Sequence, residues 1–327
     1  MIGLFVNGSI LEQGLQAFCW MLVHSLWQGL LLALLGGIVM LLTRKARPAT
    51  RYALLTGLLF LFLVSCLVTF IVEWNRDDTT GASLSMTGAL GSIGMLQEYG
   101  IHQIPAALAQ FCSDNANLIV GLWFVVFVLK CCQMGWAFGY VQRVRTKQLQ
   151  EPGHFWKDKM TVLTAQLQIR RTVGLLESGI TKIPVVIGHL KPVIYMPVGL
   201  LANLPPDQVE PVLLHELAHI RRHDYLVNLL QHTASIVFFF NPGLLWVSSL
   251  IKQEREHCCD DMALAHTGNK KQFIQALISF KEQVVYGRTY AMAFPGKKSH
   301  LLQRVTRIIQ NRNSSLSGGE KYLCWPA

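Results

Sequence analysis

The sequence predicts a multi-span α-helical membrane protein that carries an α+β domain on one side of the bilayer. Three observations predict it: an apolar composition, three long runs almost free of charge, and a one-sided distribution of Lys and Arg. Of 327 residues, 51% are hydrophobic and 15% charged, against about 25% charged in an ordinary soluble domain. A cytosolic globule of this composition would expose too much apolar surface. The same figures exclude intrinsic disorder, which needs low hydrophobicity and high charge. The length suits about two units of ordinary domain size. The net charge of +10 raises nucleic acid as a partner. However, the basic residues are spread out rather than gathered into one recognition element, so no direct nucleic-acid contact is expected.

A spanning helix needs about 20 apolar residues. The first run extends from about Ala17 to Leu42 and the second from about Tyr52 to Val72, both uncharged. A third runs from about Asn117 to Tyr140, with Lys130 as its one charge. A lone intramembrane lysine either snorkels to the interface or faces a partner. The first run is not expected to be a cleaved signal peptide, because it lacks a basic leading region and is too long. Residues 1–16 hold no Lys or Arg, whereas the link Thr43–Arg51 holds Arg44, Lys45, Arg47 and Arg51. An outside loop over about 75–116 holds Arg76, and residues 141–327 hold 23 basic residues. With the N-terminus outside, 27 of 29 basic residues fall on the cytoplasmic side, as the positive-inside rule requires. Residues 1–142 are therefore expected to form the membrane domain, and 143–327 a cytoplasmic, membrane-associated domain. Of eight cysteines, only Cys112 lies in the outside loop, so no disulfide framework is available there. The adjacent pairs Cys131/Cys132 and Cys258/Cys259 lack CxxC spacing and are read as packing residues rather than metal ligands.

In the cytoplasmic part, residues 141–181 are polar with helical character. Lys182–Pro197 holds two β-branched runs around Gly188, predicting a hairpin or two sheet strands. Helical pattern resumes near Pro206, with Asp207 as N-cap and Glu210 three later, as in a capping box.

That helix carries His215-Glu-Leu-Ala-His219. The i, i+4 spacing of an HExxH motif places both imidazoles on one face, where they can bind one zinc ion. Glu216 is the catalytic candidate, placed to take a proton from the attacking water. A catalytic zinc needs a third protein ligand. His223, eight residues beyond His215, is one candidate. The metzincin pattern fails, because Arg222 and Tyr225 stand where Gly and His are needed. The better candidate lies in Glu254-Arg-Glu-His-Cys-Cys-Asp-Asp261, where Glu256 can bind zinc and Asp260, at i+4, can orient a ligand histidine. Glu254 and Asp261 are the fallback choices.

Between the motifs, Ala234–Ile251 is uncharged over 18 residues. If it crossed the bilayer, Glu256 would lie on the opposite side from the histidines. Asn241-Pro242-Gly243 also breaks its middle. It is therefore read as non-crossing, either a core helix or a hairpin resting in the inner leaflet.

HELAHIRRHDY, NPGLLW and EREHCCDDMAL together resemble the BlaR/MecR-type integral-membrane antirepressor metallopeptidases. HSLWQGLLLAL in the first run and PVVIGHLKPVIYMP extend the resemblance over roughly residues 15–310. It implies a gluzincin-type zinc metallopeptidase fold, with a small β-sheet beside the HExxH helix. It implies that His215, His219 and Glu256 hold one zinc per chain, with Glu216 as general base and Asp260 behind a ligand. Asp224 is typical of the family without an assigned role. An edge strand near 184–188 or 192–196 would hold a substrate peptide by strand addition. The oxyanion donor is left open among His223, Tyr225 and Arg255. The family implies a bacterial inner-membrane enzyme that cuts a BlaI/MecI-like repressor, itself, or both, and it leaves room for a homodimer. One departure stands out: the tail from Ser299 resembles the segment before a further span in the beta-lactam receptors, yet no SxxK or KTG motif follows it. The expectation is a peptidase of this type lacking the C-terminal sensor domain, either because the sequence is truncated or because the protein naturally has none. Rival readings are a housekeeping or prenyl-protein-type membrane gluzincin, and a non-catalytic membrane transducer, which would need a broken site.

Overall fold

A computed structural model describes residues 2–76, 110–188, 190–286 and 296–310. The chain forms two compact units that interleave along the sequence.

One unit comprises Met1–Ile38, Gly57–Cys132 and Ala234–Val247. Among the described residues, three helices are long and apolar enough to cross a membrane: Ile10–Leu42, Pro48–Trp74 and Ala116–Thr146. They belong to α1 (Ile2–Leu42), α2 (Pro48–Trp74) and α3 (Ala116–Thr146). Pro48 opens α2, a position where its missing N–H leaves no helical bond unmade. Leu30, Leu34, Phe60 and Leu67 stay exposed, as a hydrocarbon surround allows. Polar side chains in this unit turn to one another. Gln28 donates to Thr69 Oγ1 at 2.9 Å and accepts from the Cys66 thiol at 3.2 Å.

The uncharged stretch between the motifs is a helical hairpin. One helix ends at Val237 and the next begins at Pro242. Asn241, fully buried, caps the second helix: its Oδ1 accepts from Leu244 N at 3.0 Å, as N-cap asparagines do. Its Nδ2 donates to the Ser25 carbonyl at 2.6 Å. A Cβ at Gly29 would strike the Asn241 side chain, and one at Gly243 would strike the Gly29 carbonyl. Glycine is needed at both positions for this close approach.

The second unit comprises Val39–Thr56, Gln133–Thr233 and Ser248–Ala327. Its sheet has strands β1 (Leu149–Gln150), β2 (Gly174–Ser178), β3 (Val185–Ile187) and β4 (Val193–Pro197) in the order β1-β2-β4-β3. The β2–β4 pair is parallel and the other two pairs are antiparallel. Lys182–Pro197 thus holds the expected hairpin, and β3 lies at the sheet edge. Two expectations are corrected. The segment 141–181, read as helical, holds α4 (His154–Gln166) but also strand β2. The ladder that defines β2 is made with β4, far along the chain, and leaves no local sign. The predicted capping box is absent. Pro205 is the N-cap, with no side-chain cap bond, and Glu210 pairs with Lys159 at 2.8 Å instead.

After the short α5 (Leu200–Asn203) come α6 (Pro206–Arg221), α7 (Asp224–Val237), α8 (Pro242–Thr267), α9 (Lys270–Tyr286) and α10 (Gly296–Ile309). Leu213, Leu214 and Leu217 of α6 are fully buried in a core with Leu163, Ile194, Met196, Cys259 and Phe273. Burying each large apolar side chain stabilises the fold by roughly 1.5–3 kcal/mol. The HExxH helix is therefore held by one face and presents the other to the site.

Candidate metal centre

Two helices and one corner build the site. On α6, His215 and His219 are one helical turn apart, with ring centroids 4.9 Å apart and nearly perpendicular. Glu256 comes from α8. Ligand atoms of His215, His219 and Glu256 all lie within 4.8 Å of one another, and His215 Nε2 is 3.6 Å from Glu256 Oε2. Behind each histidine stands a carboxylate. Asp260 Oδ1 is 3.1 Å from His215 Nδ1. Asp224 Oδ2 is 2.9 Å from His219 Nδ1. A carboxylate at Nδ1 fixes the tautomer with the proton there and frees Nε2 as the donor atom. His223, at φ 54°, turns the chain sharply between α6 and α7. This turn lets Asp224 fold back onto the preceding helix.

The donors fit a catalytic zinc, which takes three protein ligands and keeps one open position. Two imidazoles are backed at Nδ1, and the Glu256 side chain is 27% exposed. A cleft of about 300 Å³ opens beside them, lined by Glu216, His219, Glu256, Tyr225 and Arg255, and by Val185 and Val186 from β3. Of the three oxyanion candidates, Tyr225 and Arg255 line this cleft and His223 does not. Arg255 Nη1 donates to Asn228 Oδ1 at 3.2 Å. The fallback ligands are engaged elsewhere. Glu254 pairs with Arg51 at 3.0 Å and Asp261 with Arg307 at 2.6 Å.

Burial lowers the proton affinity of His215, but the flanking Asp260 and Glu256 outweigh it and raise its pKa to about 9. For Glu256, burial works upward, yet His215 and the other cations nearby bring it down to about 2. Asp260 is held below the ordinary carboxylate range despite its burial, chiefly by Arg304. Glu216 moves the other way. Burial raises it, with the neighbouring histidines opposing.

Sequence reasoning missed several residues of this site. Arg304 grips Asp260 with two bonds, at 2.8 and 2.5 Å, and its Nη1 is 3.7 Å from Glu256 Oε2. Cys259, read as a packing residue, is buried in the core but also donates to Asp224 Oδ2 at 3.4 Å and lies 3.3 Å from His219 Nδ1. Burial pushes its thiol well up, so it serves as a hydrogen-bond donor. Its position three residues after Glu256 was the available signal, since i and i+3 share a helix face. Tyr52 and Arg51 also reach the site, with no local signal to mark them.

A protein-family model described as BlaR1 peptidase M56 matches residues 22–308. The chain is similar to the methicillin resistance mecR1 protein of Staphylococcus aureus, 22% identical over 76% of this chain and 39% of that protein. It is also similar to the regulatory protein BlaR1 of Bacillus licheniformis, 26% identical over 62% of this chain and 35% of that one. It thus spans under two-fifths of the length of these curated relatives.

Proposed function

Because the chain belongs to the BlaR1 peptidase M56 family, we propose that it is a membrane-embedded zinc endopeptidase of regulatory type, cutting a cytosolic protein and possessing one zinc site per chain. The observation that carries this reading is the convergence of His215, His219 and Glu256, with Asp260 and Asp224 behind the two imidazoles. Zinc held by His215, His219 and Glu256 would supply Lewis-acid chemistry, polarising the scissile carbonyl and making water nucleophilic near neutral pH. Glu216, in the cleft wall, accepts the proton of the attacking water and passes it to the leaving amine. Its place in the cleft wall beside His219 and Glu256 suits both halves of that transfer. Tyr225 and Arg255 are the proposed donors to the developing oxyanion. Strand β3 pairs with β4 on one side and lines the cleft, which favours a substrate held as an added strand.

The relatives are named as regulatory and resistance proteins. On that basis the proposed substrates are a repressor of the BlaI/MecI type and the chain itself. The proposed setting is the bacterial inner membrane, with the N-terminus outside and the site in the cytoplasm. The basic link between α1 and α2 supports this topology, because it belongs to the same compact unit as the site. The test is zinc content of the detergent-purified protein, with repressor cleavage assayed beside it. About one zinc per chain is expected, lost in Glu256→Ala and kept in Glu216→Ala, with cleavage abolished in both. A wild type without zinc, or zinc indifferent to Glu256→Ala, overturns the ligand assignment.

A further inference from the structure

We propose that Tyr52, at the start of α2, is a positioning residue for the metal site, holding Asp224 so that this carboxylate fixes the ring of His219. The proposal rests on the reading of His215, His219 and Glu256 as zinc ligands. Asp224 is 4% exposed and divides its two oxygens between two sets of partners. Oδ2 faces His219 Nδ1 at 2.9 Å and accepts from the Cys259 thiol at 3.4 Å. Oδ1 accepts from the Tyr52 hydroxyl and from Arg222 Nε, each at 3.3 Å. The Arg222 guanidinium also lies over the Tyr52 ring, 4.7 Å from its centre. The phenol therefore acts twice, as a donor to Oδ1 and as the platform that holds the second donor. A carboxylate anchored at only one oxygen swings about its Cβ–Cγ bond. Anchoring Oδ1 is what keeps Oδ2 in line with His219.

The neighbouring residue strengthens the case. Arg51 pairs with Glu254 of α8 at 3.0 Å, two residues before the ligand Glu256. The first turn of α2 thus touches the α6–α7 corner through Tyr52 and the ligand-bearing α8 through Arg51. Farther along, the same helix is a candidate membrane span. A shift at this end of α2 changes the aim of Asp224, so the geometry of the metal site depends on the seating of a membrane helix.

The test uses the full chain in detergent, with zinc and cobalt(II) as the probes. Tyr52→Phe keeps the ring under Arg222 and removes only the hydroxyl. Zinc affinity is expected to fall by up to about tenfold, the lower end of what losing a direct partner of a ligand histidine costs, because Tyr52 acts through Asp224, and the visible spectrum of the cobalt form to change. In an Asp224→Asn background the same substitution should add nothing. Wild-type affinity and an unchanged cobalt spectrum in Tyr52→Phe overturn the proposal. So does an undiminished effect in the Asp224→Asn background. If the phenylalanine variant does not fold, Tyr52→His, which restores a donor, must bind zinc more tightly than Tyr52→Leu; equal affinities overturn the proposal. Failure of the underlying reading looks different. It leaves the wild type without zinc, or with zinc that survives Glu256→Ala, whereas a silent Tyr52→Phe beside Glu256-dependent zinc defeats the role of Tyr52 alone.

Discussion

Two carboxylates stand behind the two histidines, but they are not held alike. Asp260 is fully buried and gripped by Arg304, whereas Asp224 shares several weaker donors. Replacing either by Asn keeps the shape and removes the charge that favours an Nδ1 proton. Each substitution is expected to weaken zinc binding by about 10–100-fold, as measured by competition with a chromogenic chelator. Removing the other partner has a different cost. Arg304→Met leaves the Asp260 carboxylate buried with only His215 opposite it. Stripping one member from a buried ion pair costs on the order of 3–5 kcal/mol, so a clear fall in the thermal midpoint of the metal-free protein is expected. Unchanged melting would show that Asp260 finds another partner. At this scale the sequence was legible where chemistry follows helical spacing. His215, Glu216 and His219 lie within one turn, and Glu256 and Asp260 are four residues apart on another helix. The residues it did not reveal act across long separations: Arg304 lies 44 residues from Asp260, and Tyr52 lies 172 from Asp224. Nothing in a local pattern distinguishes them from other interfacial basic or aromatic residues.

Among the elements, the hairpin at 238–241 shows how a run apolar enough to suggest a span turns back. Asn241 satisfies the free end of the second helix and, with its other amide atom, the Ser25 carbonyl. Asn241→Ala leaves the Leu244 N–H buried without its cap, at a cost of about 1–3 kcal/mol, and removes the second bond to the Ser25 carbonyl. Gly243→Ala must push away the Gly29 backbone, which cannot yield as a flexible side chain does. Both variants are expected to melt at clearly lower temperature in detergent. Gly57→Ala, which meets open space, should not. If Gly243→Ala melts like the wild type, the close approach to Gly29 contributes no stability. The break at Asn-Pro-Gly was readable, because proline and asparagine act on their own backbone. Strand β2 was not. Leu175 and Ser178 are its buried residues, too few to show alternation, and its pairing with β4 depends on the fold.

For the molecule as a whole, charge and connectivity constrain the same topology independently. The positive-inside argument uses only where Lys and Arg fall. The structure adds that Val39–Thr56, which joins the first two candidate spans, packs within the unit that holds the candidate metal centre. Arg51 and Tyr52 make that membership specific, since each contacts a residue of the α6–α8 region. A link in contact with the site lies on the site's side of the bilayer. On the topology proposed above, two crossings by α1 and α2 put Arg76 on the far side, and α3 returns the chain. Fusions of alkaline phosphatase, active only outside, and of a fluorescent protein, bright only inside, read this directly. Fusions after Arg47 and after Lys147 should fluoresce and lack phosphatase activity, while a fusion after Arg76 should do the reverse. Phosphatase activity after both Arg76 and Lys147 would mean that α3 does not return the chain. His215 would then lie opposite the basic link, and the contacts of Arg51 and Tyr52 with the site could not form.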